Sequence, residues 1–306
     1  MTALFSGYPA SDDERRARLY GGDLFVQAVS PAVSAFAEFT RGLLEDAFAP
    51  LHPETAQYDM PVEEYAALLG RVKPAFIHHP ESKKHLARIL IEAGCDPEQT
   101  YFDVPRLRTS TSDDYLTTGI AYAFHPHRDT WYSAPMMQLN WWLPVYDVSA
   151  DNVVAFHPHY FDHPVQNGSA DYNYYLWNRD SRALAASQIG VDTRKQPRPE
   201  EPIDLDPQIR PVPPVGGMMI FSGAQLHSSV PNNSGRTRIS IDFRTVHRAD
   251  VEMHRGAENI DSDCTGTTLR DYLRVTDNAH LPEELVREYD VDVPADVLEH
   301  LVFQPK

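Results

Sequence analysis

Two His-Pro-His tripeptides stand about thirty residues apart, in AFHPHRDTW (123–131) and AFHPHYFDHP (155–164). Only the first is followed by a carboxylate at strand spacing. On an extended segment, side chains at i and i+2 point the same way, so His127 and Asp129 project together, an imidazole nitrogen beside a hard oxygen. A third ligand must come from a separate strand, and His227 in GGMMIFSGAQLHSSVPNNSGRTRISIDF supplies it. Two histidines and one carboxylate on one face of an octahedral ion leave three positions open for exchangeable ligands. The stretch after His227 reads as strand, polar turn, strand. A hairpin about Asn232–Ser234 would set Arg238 opposite, or nearly opposite, His227. Ser240 then shares the face of Arg238, while Ile239, Ile241 and Phe243 take the other. An inward guanidinium fork suits bidentate pairing with a carboxylate held at one distance and angle. The pair reads as an anchor for the far carboxylate of a dicarboxylic cosubstrate.

The remaining candidates divide between chemistry and packing. The second tripeptide lacks a carboxylate at strand spacing, so His157 reads as active-site rim or structural turn rather than metal ligand. His125 and His127 form an HxH pair of the cupin kind, but RDTWYSAPMM lacks the glutamate that should follow. Gln138 and Asn140 share a face of MMQLNWW and read equally as cofactor-binding groups or as ordinary polar positions. Trp131 and Tyr132 adjoin the ligands and have the best claim to a substrate wall, with Tyr122 beside them; Trp141 and Trp142 read as core. Arg106 and Arg108 share one face of a strand and read first as solvated, with a substrate contact as the lesser reading.

These side chains need a frame. SPAVSAFAEFTRGLLEDAF has Ser30 as N-cap, Pro31 in the first helical position and a 3.6-period apolar stripe from Val33 to Leu44. PVEEYAALLG reads as a helix from Pro61 stopping at Gly70, and ESKKHLARILIEAG as one stopping at Gly94. From about residue 100 short β-like runs follow: TYFDVPRLRTS, TTGIAYAFH, APMMQLNWWLPV, DNVVAFH, GGMMIFS, LHSSV and TRISIDFRTV. Alternating runs bounded by turn residues are the mark of half-buried antiparallel strands in a sandwich or jelly roll. A polar, Pro-rich insertion occupies 165–215 and reads as a lid, a binding loop or disorder; the aromatics Tyr172, Tyr174, Tyr175 and Trp177 open it. LPEELVREY and PADVLEHLVF read as closing helices. The expected organisation is one catalytic domain over 1–306: an N-terminal helical region over 1–99, a β core over 100–250 and a C-terminal extension over 251–306.

Composition narrows the function. At 306 residues and 42% hydrophobic, the chain can bury a substantial core. Its formal charge of −17 argues against nucleic acid as a partner and leans towards a neutral or cationic small molecule. No run has the length or apolarity of a membrane span, and MTALFSGYPASDDERR lacks the layout of a signal peptide. The expectation is a soluble cytoplasmic protein. Its two cysteines, Cys95 and Cys264, exclude a disulfide framework and a thiolate zinc site. Nothing in the sequence fixes the oligomeric state.

HxD, a histidine about a hundred residues later, and RxS eleven and thirteen residues beyond that resemble the Fe(II)/2-oxoglutarate-dependent dioxygenases. MQLNWWLPVYDVSADNVVAFHPHYFDH is similar to the phytanoyl-CoA dioxygenase-like branch, although HPHYFDHP replaces its usual PGSH-like turn. The resemblance covers roughly residues 100–246. It implies a mainly β fold, a double-stranded β-helix (jelly roll, cupin-like) flanked by N- and C-terminal helices. It further implies iron on His127, Asp129 and His227, with 2-oxoglutarate on Arg238 and Ser240 and O2 as the second cosubstrate. The reaction implied is hydroxylation or other oxidation of an unactivated C–H in a small molecule, for instance in natural-product biosynthesis. Two readings compete: a cupin-type metal enzyme independent of oxoglutarate, and a non-catalytic β-sandwich binding module.

Overall fold

The computed structural model describes residues 2–7 and 10–303. In chain order the principal elements begin with β1 (Leu4–Ser6), α1 (Asp12–Tyr20), β2 (Leu24–Gln27), α2 (Pro31–Phe48), α3 (Val62–His78) and α4 (Pro80–Glu92). There follow β3 (Thr100–Phe102), β4 (Arg106–Ser110), β5 (Leu139–Pro144), β6 (Val154–Phe156), α5 (Tyr174–Asp180), β7 (Met218–Ser222) and β8 (His227–Ser229). The chain continues with β9 (Arg238–His247), α6 (Arg248–Glu252), β10 (Leu273–Arg274) and α7 (Glu283–Val286).

Local chemistry accounts for the helices and for one departure from expectation. Ser30 caps α2, its hydroxyl accepting from Val33 N at 3.3 Å, and Val33, Phe36, Leu44 and Phe48 form the buried face. Gly94, at φ +78°, follows the end of α4. Gly70 does not stop α3, which runs on through Pro74 to His78. The buried stripe Leu69, Val72, Phe76 and Ile77 continues past the glycine, and tertiary burial outweighs a propensity cost of about 1 kcal/mol. Gly70 instead marks a close approach, since a Cβ there would lie 3.3 Å from the Ala186 Cβ.

Eight strands make the larger sheet, in the order β1-β2-β7-β5-β9-β3-β10 with β4 also paired to β9. Two of them, β1 and β2, lie in the segment expected to be wholly helical. The architecture is therefore mixed helix and sheet rather than β with helical ends alone. Along β9 the period of two separates two environments. Ile239, Ile241 and Phe243 join Trp141, Leu143 and Ile220 in the main core, against Phe36, Tyr65, Leu69 and Leu86 of the helices. Phe243 stacks on Trp141 with ring centroids 5.7 Å apart. Each such fully buried side chain contributes roughly 1.5–3 kcal/mol. The opposite face carries Arg238, Asp242 and Arg244 of β9, Asn140 and Trp142 of β5 and Phe221 of β7, and these line a cavity.

A shorter sheet of β6 and β8 stands across that cavity. Single antiparallel bridges widen it on either side, Ile209 to Phe156 and His127 to His227. The expected hairpin after His227 is not formed: β8 pairs with β6, while β9 pairs with β3, β4 and β5. Residues 230–237 cross between the two sheets. Buried Asn232 fixes the corner, its amide donating to the carbonyls of Ser110 and Arg236 at 2.8 Å each. His227 and Arg238 thus reach one cavity from opposite walls.

Three other segments depart from the sequence reading. TTGIAYAFH holds a 3-10 turn at Gly119–Ala121 instead of a strand. LPEELVREY supplies only one short turn of α-helix, α7, followed by a 3-10 turn, and PADVLEHLVF a 3-10 turn at Val297–His300. The insertion carries α5 and a 3-10 helix, Arg182–Ser187, and its inner side lines one wall of the cavity. No helix among the described residues is long and apolar enough to cross a membrane.

Candidate metal centre

His127 and His227 face each other across their bridge, each backbone N–H donating to the other's carbonyl at 2.9 Å. Their Nδ1 atoms lie 2.8 Å from the His125 carbonyl and 2.9 Å from the Gln225 carbonyl. A carbonyl only accepts, so both Nδ1 atoms carry hydrogen and both Nε2 atoms keep free lone pairs, the ligand form of imidazole. Asp129 completes the group: its Oδ1 is 3.6 Å from His127 Nε2 and 3.9 Å from His227 Nε2. Divalent-metal bonds to such donors are about 2.1 Å, so one ion can span these separations. Among the described residues this is the one group of three or more His, Cys, Asp or Glu whose donor atoms all lie within 4.8 Å of one another.

The Asp129 carboxylate is oriented by its second oxygen. Oδ2 accepts from Gln138 Nε2 at 3.0 Å and lies 3.4 Å from Arg244 Nε, leaving Oδ1 towards the histidines. Gln138 is fixed in turn, donating to Asn140 Oδ1 at 2.9 Å and accepting from the Tyr272 hydroxyl at 2.9 Å. Burial alone would raise the Asp129 pKa, but Arg244 and the two histidines hold it well below the usual range. His227 is pulled down to about 3 by burial and by His127, and stays neutral. A neutral imidazole beside an ionised carboxylate is the protonation state a divalent cation requires.

The intervening Arg128 ties the HxD segment to its surroundings. It points away from the donors, its Nε donating to Asp261 Oδ2 at 3.0 Å and its Nη1 to the Ala224 carbonyl at 2.6 Å. Its Nη2 donates to the carbonyls of Tyr160 and His163.

The donors open on a cavity of about 370 Å³, within the usual size of a small-molecule site. Arg238 lines it from the far wall, its guanidinium 5.8 Å from the Trp142 ring. Its buried Nε makes no hydrogen bond among the described residues, and burial followed by repulsion from Arg108 lowers its pKa to about 10. A guanidinium held this way favours an incoming carboxylate. Ser240 is fully buried beside it, its hydroxyl without a partner among the described residues and outside the cavity lining.

Of the other expected site residues, Gln138, Asn140, Tyr132 and Tyr122 line the cavity. Gln138 donates to Asp129 and to Asn140, and the Tyr132 hydroxyl donates to the Pro197 carbonyl at 3.0 Å. Trp131 does not reach the cavity; it is fully buried with Val165 and Leu226, and its Nε1 donates to Asp261 at 2.8 Å. His157 is also a structural residue, both ring nitrogens engaged with the Leu205 carbonyl at 3.0 Å and the Ser228 hydroxyl at 2.9 Å. Arg106 and Arg108 are not solvated strand positions but cavity walls. Sequence reasoning passed over Arg244, Lys73 and Arg182. Arg244 had a visible signal: Arg238, Ser240, Asp242 and Arg244 put four polar side chains on one face of a strand whose other face is apolar.

No protein-family model matches the chain, and no curated protein matches its sequence. Solved structures with some likeness include EvdO2 from Micromonospora carbonacea var. aurantiaca, at 14% identity and a TM-score of 0.36 over 57% of this chain. The chain spans 62% of the length of EvdO2, a protein whose structure is also known complexed with 2-oxoglutarate. ThoJ, a non-heme monooxygenase, is 14% identical over 72% of this chain and 71% of its own, with a TM-score of 0.37. The epimerase SnoN, in complex with Fe3+, alpha ketoglutarate and nogalamycin RO, is 14% identical over 77% of this chain and 85% of its own, with a TM-score of 0.38. These likenesses are loose, and what those proteins bind is a property of theirs.

Proposed function

We propose that the chain is a non-heme Fe(II)- and 2-oxoglutarate-dependent oxygenase, working as one catalytic unit on a double-stranded β-helix core and hydroxylating an unactivated C–H bond of a small molecule. One observation carries the reading. Two Nε2 atoms and one carboxylate oxygen converge with the other polar atoms of their side chains tied to the protein, and they share a cavity with an arginine that has no carboxylate within ion-pair distance among the described residues. The two facing sheets, with the bridge between His127 and His227, support the β-helix description.

His127, Asp129 and His227 would hold the iron, and Arg238 the far carboxylate of 2-oxoglutarate. When bound, that pair supplies O2 activation and the cleavage of a C–H bond too strong for acid–base chemistry. The protein's own contribution is orientation. The carbonyls of His125 and Gln225 aim the imidazoles, while Gln138 and Arg244 aim Asp129. The aromatic walls Phe124, Tyr132, Trp142 and Phe221 limit water around the donors.

Anaerobic addition of Fe(II) and then 2-oxoglutarate to metal-free protein tests this. The expected result is a weak visible metal-to-ligand charge-transfer band, lost in His127→Ala, Asp129→Ala and His227→Ala and weakened in Arg238→Ala. Iron binding with no band would refute the oxoglutarate half and favour an oxoglutarate-independent metal enzyme. Binding of neither would favour a non-catalytic module.

A further inference from the structure

The cavity is charged against the grain of the chain. The whole sequence carries −17, yet seven cationic side chains and only two carboxylates, Asp129 and Asp242, line this space. Four of the seven are matched by acids. Arg106 meets Asp103 at 2.5 Å, Arg108 meets Asp242 at 2.6 Å and Arg194 meets Asp192 at 2.7 Å. Arg244 lies 3.4 Å from both Asp103 and Asp129. The other three, Lys73, Arg182 and Arg238, have no carboxylate within ion-pair distance among the described residues.

Those three are not equivalent. Arg238 is assigned to the cosubstrate by the reading above. Lys73 donates to Thr109 Oγ1 at 3.2 Å and to the Ile120 carbonyl, and burial followed by Arg108 pulls its pKa down to about 7. It can therefore shed its charge. Arg182 cannot do so at neutral pH. It lines the cavity from the insertion, and among the described residues its Nη1 has only the Asn178 amide oxygen, at 3.5 Å. The nearby carboxylate of Asp271 is already engaged by the Tyr174 hydroxyl and by the backbone N–H groups of Val302 and Phe303. Burial lowers the Arg182 pKa, with Arg106 adding repulsion, against a smaller pull the other way from Tyr174, Asp271 and Tyr172. Tyr172 also lines the cavity, close enough to Arg182 for the two charges to act on each other, with no hydrogen bond to its hydroxyl among the described residues. A half-buried guanidinium near a phenol whose hydroxyl has no partner among the described residues is an incomplete anion site.

We propose that the substrate carries an acidic group, a carboxylate or a phosphate, which Arg182 binds with help from the Tyr172 hydroxyl beneath the insertion. The proposal rests on the oxygenase reading, which reserves Arg238 for the cosubstrate. It replaces the neutral or cationic substrate suggested by whole-chain charge, because the lining, and not the outer surface, meets the ligand.

The test uses the full chain, loaded anaerobically with Fe(II) and 2-oxoglutarate, and three probes of one shape: 2-naphthoate, 2-naphthyl phosphate and 2-naphthylmethanol. Calorimetric titration measures each affinity, and the charge-transfer band is followed in the same samples. At least one acidic probe is expected to bind tenfold or more tighter than the alcohol, and which one does so separates carboxylate from phosphate. Arg182→Gln should abolish that preference while leaving the alcohol's affinity and the band unchanged, and Arg182→Lys should retain most of the preference. Equal binding of all three probes, no binding of either acid, or a preference that survives Arg182→Gln overturns the proposal. Loss of the band in Arg182→Gln overturns it too, because Arg182 would then be the cosubstrate anchor. A band absent from the native protein, with the preference still lost in Arg182→Gln, refutes the oxoglutarate reading and leaves the anion site standing.

Discussion

Replacing Gln138 by leucine would separate positioning of the metal ligand from simple stability. The native amide makes three contacts: to Asp129 Oδ2 at 3.0 Å, to Asn140 Oδ1 at 2.9 Å and from the Tyr272 hydroxyl at 2.9 Å. Leucine has a similar size and none of these bonds. Asn140 Oδ1 and the Tyr272 hydroxyl lose a partner in a buried setting, at about 1–3 kcal/mol each, so the expected loss of stability is about 2–6 kcal/mol. Asp129 keeps Arg244 on Oδ2 but loses its best-aligned donor, and loss of such support typically weakens metal binding about 10–100-fold. Urea unfolding of the metal-free protein reads the first effect, and competition with a chromophoric chelator reads the second. Tyr272→Phe is the control, since it leaves the Asp129 contact in place while orphaning only the Gln138 carbonyl. It should cost about 1–3 kcal/mol and change metal affinity less than threefold. If Gln138→Leu loses stability but binds metal as the native protein does, or if both variants weaken metal binding equally, the orienting role is wrong.

Three further perturbations probe other regions of the structure. Arg128→Met breaks the buried pair with Asp261 and should cost about 3–5 kcal/mol; a urea-unfolding loss under about 1 kcal/mol would show that Arg128 does not pin the HxD segment. Lys73 has a folded pKa of about 7 against roughly 10.5 unfolded, so the unfolded chain binds more protons between those values and stability rises with pH across that window. Relative to Lys73→Met, the native protein should gain up to about 5 kcal/mol between pH 7 and pH 10.5, less where cavity water reaches the ammonium; parallel stability curves would refute this. Gly119→Ala would place a Cβ 2.3 Å from the Ala185 carbonyl at a φ of +61°, costing about 1–3 kcal/mol and loosening the insertion. Faster tryptic cleavage at Arg182, Arg194 or Lys195 is the expected readout, and an unchanged digestion pattern would count against it.

What the sequence disclosed follows from the range of the interactions involved. The pairing of His127 with Asp129 and the two faces of β9 are short-range patterns of period two, legible in any extended segment. The strand–turn–strand reading after His227 found two strands correctly but could not show that they belong to different sheets, because a polar turn looks alike in a hairpin and in a crossover. Gly70 read as a stop because the reason for it, Ala186, is more than a hundred residues away. The role of Gln138 depends on Tyr272, and the character of the cavity on Lys73, Arg182 and Arg244, which belong to three separate elements. Net charge misled for a related reason: it averages over the surface, whereas recognition depends on the few groups that face inward.

The bridge between His127 and His227 also sets the order in which the site can come into being. The two residues are a hundred positions apart, and their reciprocal backbone bonds close that span in a single contact. A chain emerging from the ribosome can offer the HxD pair early, but it has no third donor until β8 has been made and threaded beside it. Closing so long a loop is entropically costly, so an ion met early finds two ligands and no pocket. On the proposed reading, metal capture would wait for the finished fold, and its binding energy would then hold that fold against unfolding.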